Sequence, residues 1–422
     1  MKTQVLTIWS LVSATLATPS FAKETAFVLP QNISRARVVS VMAQPVTQTY
    51  NDSGRVEDLS RSLNRTVTVQ DFKADPKLGG DVTVLVNAIN SIQPGLGDQL
   101  ASSNLYNDLS INAKVFLAAY EYGMTDRLSL GIRVPVVNRD VKAKFRAEAT
   151  NNAAAYRAAF GALSDDIKEG LTMAADQYTF DTRMFEKVCF TDKGYEIPHD
   201  FNKTELGDVE FGGKYKLYGD DAMISTGLLG FRVPTGSDPS LTNLFDKGTS
   251  NGAYASALQY FHEFFPTSNL TVGGMGKLTY YFADTKRRAV PKNEGDSLPS
   301  VKPEDGQVQD VSRQQAPLLE SELSLEYKFG QKAFSVWGAY QYLQKGRDKF
   351  SGPGNLYYEG LAKNTEKTLT TAEVGVGYST IPAFRKKKFS VPLEVTLLYS
   401  QPVSGRNSAL QSYGRVDFMV YF

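Results

Sequence analysis

The sequence predicts an all-β fold: a transmembrane up-and-down antiparallel β-barrel of about 12 strands, or 14, with helices in its long loops. Three features predict it. Segments of about 11 to 16 residues alternate apolar and polar positions, as strands with one face on lipid must, because successive side chains point to opposite faces. The gaps between them are alternately short and long, the rhythm of hairpins with a turn side and a loop side. Beyond the first residues no apolar run reaches about 18 residues, which leaves strands as the way across a bilayer.

Residues 1–22 carry Lys2, an apolar run over 5–16, and small residues at Ser20 and Ala22. This is the layout of a secretory signal peptide cleaved after Ala22, so the barrel takes residues 23–422. A less regular segment at 35–50 is the first candidate strand. Further strands are expected at 112–124, 127–137, 206–218, 222–234, 252–264, 269–284, 315–328, 332–344, 367–379, 388–401 and 410–422. The short gaps hold turn chemistry: MTDR at 124–127, YGDD at 218–221, FPTSN at 265–269 and FGQK at 329–332. The long gaps include 138–205, 235–251, 285–314 and 345–366, after 51–111. Soluble strands usually run about 5 to 6 residues, whereas tilted membrane strands need about 9 to 11; the length here favours the membrane barrel.

Charge placement assigns the faces. In the segment 206–220, Val209, Phe211, Tyr215 and Leu217 share one parity, and Asp208, Glu210, Lys214 and Lys216 the other. Within 318–330, Leu319, Leu323, Leu325 and Tyr327 oppose Glu320, Glu322, Glu326 and Lys328. At the end of the chain, Phe418, Val420 and Phe422 oppose Arg415 and Asp417. A midplane Lys or Arg facing lipid costs about 2 to 4 kcal/mol, so several per strand must face a watery lumen. The expected lumen-lining residues are therefore Asp208, Glu210, Lys214, Lys216, Glu320, Glu322, Glu326, Arg415 and Asp417. Cross-strand pairing that fills a closed lumen is the alternative role for them.

Two loop segments repeat apolar residues at three and four. Tyr156, Phe160, Leu163, Ile167 and Leu171 form one stripe, and Val82, Leu85, Ile89 and Ile92 another, stopped by Pro94. Each helix either packs on its own loop or folds into the mouth, the first being the candidate constriction helix. Catalytic, cofactor and metal sites are not expected. The chain has two histidines and a single cysteine, Cys189, too few for His-rich or thiolate metal sites. His262 and Ser256 lie six apart on one strand, roughly 20 Å at about 3.3 Å per residue; a hydrolase would need a serine on a neighbouring strand. Lys plus Arg (46) against Asp plus Glu (45) leaves no basic surplus to hold nucleic acid.

Three stretches, YEYGMTDRLSLGIRVPVV at 120–137, LGDVEFGGKYKLYGD at 206–220 and GLLGFRVPTGS at 227–237, resemble the outer-membrane transporter family associated with phenol meta-cleavage pathways, a distant relation of the long-chain fatty-acid and aromatic-hydrocarbon channels. The resemblance implies passive uptake of small solutes, hydrophobic or aromatic ones among them, through a barrel whose wall opens sideways. It also implies that the terminal strand with Phe418, Val420 and Phe422 is read by the barrel assembly machinery, as in outer-membrane barrels generally. The chain departs in two ways. Only residues 23–34 precede the first candidate strand, which speaks against an N-terminal plug, and the charged inward face suits polar solutes better than a greasy pocket.

The expectation is thus a channel in the cell outer membrane of a Gram-negative organism, both termini periplasmic, whose partners are outer-membrane lipid, the assembly machinery and a small-molecule solute. A structural or adhesive barrel acting through loops 138–205 and 285–314 is the alternative, and an outer-membrane hydrolase a third.

Overall fold

The computed structural model describes residues 25–61, 64–73, 78–150, 163–294, 296 and 298–422; the expected signal segment lies outside them. Among the described residues twelve strands close into a barrel: β1 Ser34–Ala43, β2 Ala101–Thr125, β3 Leu128–Ala149, β4 Val209–Gly219, β5 Met223–Val233, β6 Ala255–Thr267, β7 Leu270–Tyr281, β8 Leu318–Phe329, β9 Phe334–Lys345, β10 Lys367–Ser379, β11 Leu393–Arg406 and β12 Tyr413–Tyr421. Each pairs antiparallel with its chain neighbours, and β1 closes the ring on β12, from Arg35 opposite Tyr421 to Ala43 opposite Tyr413. Two short strands, Thr66–Thr68 and Phe201–Leu206, add to β2 and β3 outside the ring.

Surface and interior are inverted relative to a soluble protein. On β10, Val374 is 61% exposed while Glu373 beside it is 2% exposed. Phe116, Tyr120, Leu229, Leu258, Leu323 and Phe418 stand on the outside, and Arg37, Glu320, Glu322, Arg415 and Asp417 are buried within. That pattern is stable when the outer solvent is hydrocarbon and the inner one is water or polar side chains. β1 follows it too: Arg35 and Arg37 share the inner face with Val39 and Val41, leaving Val38 and Met42 outside.

The turns close by one local device, a side-chain oxygen that accepts the first free amides. Thr125 Oγ1 accepts from Arg127 and Leu128, Thr267 Oγ1 from Asn269 and Leu270, and Asp220 Oδ1 from Ala222 and Met223.

Three expectations about the loop side need correction. β2 and β3 are 25 and 22 residues long, so the segments 101–111 and 138–149, read as loop, are strand standing beyond the barrel wall. Their upper ends carry a cap in which helix α1, Gly79–Ile92, and helix α2, Asp165–Asp176, bury Val82, Leu85, Val86 and Ile89 against Leu105, Phe180 and Phe185. The stretch 285–314, read as solvated loop, folds into a small sheet of Asp284–Ala289, Val308–Gln314 and Lys349–Ser351.

The wall is interrupted at one seam. β3 pairs with β4 only over Leu128–Arg133. Pro135 then offers no amide, Gly207 donates to its carbonyl at 2.9 Å, and Phe201–Leu206 takes over against Val136–Val141.

Candidate functional site

The inward side chains leave two cavities in the lumen, about 670 Å³ toward the turn end and about 640 Å³ toward the loop end. Arg232 and Lys277 line both, so the cavities adjoin at that level. Opposed cations and carboxylates form a belt there. Arg232 donates to Glu210 at 2.9 and 2.6 Å, Lys277 lies 2.9 Å from Glu320, and Arg37 donates to Asp417 at 2.7 Å while Arg415 clamps the same carboxylate. Gln341 links Glu322 at 2.9 Å to Glu373 at 3.2 Å, and the Tyr413 hydroxyl donates to Glu373 at 2.9 Å. Removing one partner from such a buried network leaves an uncompensated charge.

Of the nine residues expected to line the lumen, eight face the interior in contacts the sequence could not specify. Glu210, Glu320, Glu322, Arg415 and Asp417 belong to the belt. Glu326 lines the turn-end cavity, 3.5 Å from Lys328. Asp208 anchors a loop: its carboxylate accepts from the amides of Gly236 at 3.2 Å and Asn251 at 2.8 Å. Lys214 donates to the Thr25 carbonyl at 2.6 Å and sits 4.2 Å from the Phe261 ring centre. Lys216, half-buried, lines neither cavity.

Each cavity is narrowed by chain that is not barrel wall. At the turn end residues 25–30 enter the lumen, contrary to the expectation that so short a segment makes no plug. The Ala26 amide donates to Glu263 at 3.0 Å and the Leu29 amide to Ser129 Oγ at 2.8 Å. Ala26 is fully buried against Ile224 and Phe261, and Phe27 stacks on Phe265 with ring centres 6.0 Å apart. Gly123 permits the approach, since a Cβ there would lie 2.0 Å from the Pro30 carbonyl oxygen.

At the loop end the segment 238–252 folds inward and lines the cavity. Arg139 holds it through Asp246 at 2.8 Å, with Lys203 on the other oxygen. Burial would raise the Asp246 carboxyl, but hydrogen bonds from Lys203 and Arg139 outweigh it and hold it below the usual carboxylate range. The described part of the candidate constriction helix lines neither cavity. Leu163 and Leu171 rest on the cap, Ile167 is 51% exposed, and Tyr156 and Phe160 lie outside the described residues.

Two further features bear on the alternatives. His262 Nδ1 lies 2.8 Å from Ser225 Oγ on the neighbouring strand, and Tyr260 donates to the same oxygen at 3.2 Å. A serine is thus within proton-transfer distance, yet among the described residues no carboxylate contacts His262 to orient it. Cys189 is half-buried, packed against the cap and the neighbouring loop core.

No protein-family model matches the chain, and no curated protein matches its sequence. Among solved structures it is similar to an outer-membrane channel from Pseudomonas putida F1, with a TM-score of 0.52 at 11% identity over 96% of this chain and 100% of that one. The CymD monoaromatic hydrocarbon channel follows at a TM-score of 0.32 and 10% identity, over 93% and 89% of the two chains. The NanC porin stands at 0.32 and 9%, over 76% and 98%. The first likeness shows a shared barrel fold; the other two are too distant to carry an argument.

Proposed function

We propose that the chain is a passive channel of the outer membrane for small solutes, with its long loops outside the cell and both termini in the periplasm. The observation that carries this reading is the pair of adjoining cavities, lined by charged side chains among others, inside a barrel whose outer face is apolar. Twelve strands fall between the side-chain-filled barrels of about eight and the open pores of sixteen or more, and segments 25–30 and 238–252 narrow the passage further. The terminal Phe418, Val420 and Phe422 meet outer-membrane lipid and the assembly machinery. The link to phenol meta-cleavage chemistry rests on the resemblance of the three stretches around 120–137, 206–220 and 227–237 alone.

The test is single-channel recording from the refolded chain in a planar lipid bilayer, with and without residues 152–177. Discrete steps in both forms are expected, because the described part of α2 stands clear of the cavities. Silence from both folded forms overturns the channel. Steps only after the deletion would make the helix a plug. The Ser225–His262 contact favours a hydrolase as the second reading: ester turnover that disappears in Ser225→Ala would establish it.

A further inference from the structure

The chain is nearly neutral as a whole, with 46 Lys and Arg against 45 Asp and Glu, but its lumen is not. Nine Lys and Arg side chains and four carboxylates line the loop-end cavity, and nine and six line the turn-end one. A concave site walled by low-dielectric protein concentrates ions of the opposite sign.

The surplus is localised. Lys286 is matched by Asp238 at 2.8 Å, Lys277 by Glu320 at 2.9 Å and Lys345 by Asp348 at 2.6 Å. Lys367 has no hydrogen bond or ion pair among the described residues, and it stands directly across the sheet from Lys345. Like charges in that register repel. Asp348 does not relieve them both, since it already accepts from Lys345 at 2.7 Å and from the Ala316 amide at 2.9 Å. Arg288 is in a similar position. Its carboxylate neighbour Asp284 lies 3.9 Å away and is held by Arg313 at 2.8 and 2.9 Å, while its own buried Nε has no partner. Lys247, from the inward loop, lines the same cavity. Leu343, Leu369 and Phe350 share that lining, so apolar surface lies beside the unmatched cations.

We propose that the loop-end cavity is an anion site in which Lys367 and Arg288 receive the carboxylate of a small organic acid while Leu343, Leu369 and Phe350 cover its hydrocarbon part. The inference rests on the channel reading and adds to it a solute class: the channel selects small organic anions over cations. A carboxylate beside Lys367 offsets its repulsion from Lys345 across the sheet.

The experiment is a reversal-potential measurement on single channels in a potassium chloride gradient, followed by titration of the loop side with potassium hexanoate, hexylammonium chloride or potassium phosphate. Chloride preference over potassium is expected, with hexanoate interrupting the current at lower concentration than the other two. Lys367→Gln should weaken the hexanoate block about tenfold, the loss of one charge-assisted hydrogen bond, and Lys367→Arg should restore it. Thermal stability of Lys367→Gln without hexanoate should not fall, because the substitution removes a repulsion. Steps with potassium preference, or equal block by hexylammonium, overturn the anion site and leave the channel standing. Tighter block by phosphate overturns the organic-acid assignment. If the folded protein shows no steps, the channel reading falls, and calorimetric titration of the detergent-solubilised protein with hexanoate decides the site: binding lost in Lys367→Gln supports it, and no binding overturns it.

Discussion

The two ends of the lumen share one sheet yet are narrowed by different means. At the turn end, a short extended segment, residues 25–30, lies against the wall through Glu263, Ser129 and Lys214, and the nearby Arg37 and Arg415 share the Asp417 carboxylate. At the loop end a folded loop, 238–252, contributes to the lining, Lys367 has no ion pair among the described residues, and Arg288 shares Asp284 with Arg313. Lys367 stands on the barrel wall opposite Lys345, and Arg288 on the small sheet beyond it. The ends thus differ both in the inserted chain and in the charges the wall itself presents.

The largest break in this contrast should come from the matched end. Asp417→Leu leaves two buried guanidinium groups without their shared carboxylate, and a loss of about 3 to 5 kcal/mol is expected from thermal unfolding in detergent. A near-neutral result would mean that water, not Asp417, satisfies those arginines. Next in size is deletion of residues 25–30, which removes two amide donors to the wall and the lysine contact at about 1 kcal/mol each, roughly 3 kcal/mol in all. The same variant should show a larger unitary conductance; an unchanged value would place the limiting constriction at the loop end.

The smallest effect concerns Lys247. Burial pushes its ammonium down to about 8 from an ordinary 10.5, with Asp246 raising it and Arg288 lowering it further. Its folded-state value lies below the unfolded one, so the unfolded chain binds the proton more readily and stability rises as pH passes through 8. Over the same interval the cavity loses a positive charge. Anion preference in the bilayer should therefore fall roughly twofold between about pH 7 and 9, and Lys247→Gln should reduce that change.

Much of the wall was legible because lipid imposes a strict period of two. Val209, Phe211 and Tyr215 against Glu210 and Lys214 could be sorted by parity alone, and the observed strand agrees. The upper halves of β2 and β3 were not legible, since neither face there meets lipid. Leu105, Leu109 and Ile111 pack against cap and loops instead, and the pattern loses its contrast. The inward direction of the charges could be read, but not their partners. Arg232 and Lys277 come from strands whose register the sequence does not state. Residues 25–30 have no periodicity, and their place is set by Ser129 and Glu263, 100 and 237 positions away. The Gly123 clearance became meaningful only once Pro30 was seen above it.

The uneven length of the strands has a mechanical consequence. A 25-residue β2 at about 3.4 Å per residue, tilted by about 40°, rises roughly 65 Å, more than twice the hydrophobic band of about 25 Å. The β2–β3 hairpin is therefore a mast on one side of the rim, stiffened by unbroken pairing from Ser103–Ala149 to Gly123–Ser129. A fluorophore or antibody epitope at its tip would stand clear of the bilayer and of both cavities, which makes that hairpin the natural handle for watching the molecule in a living envelope.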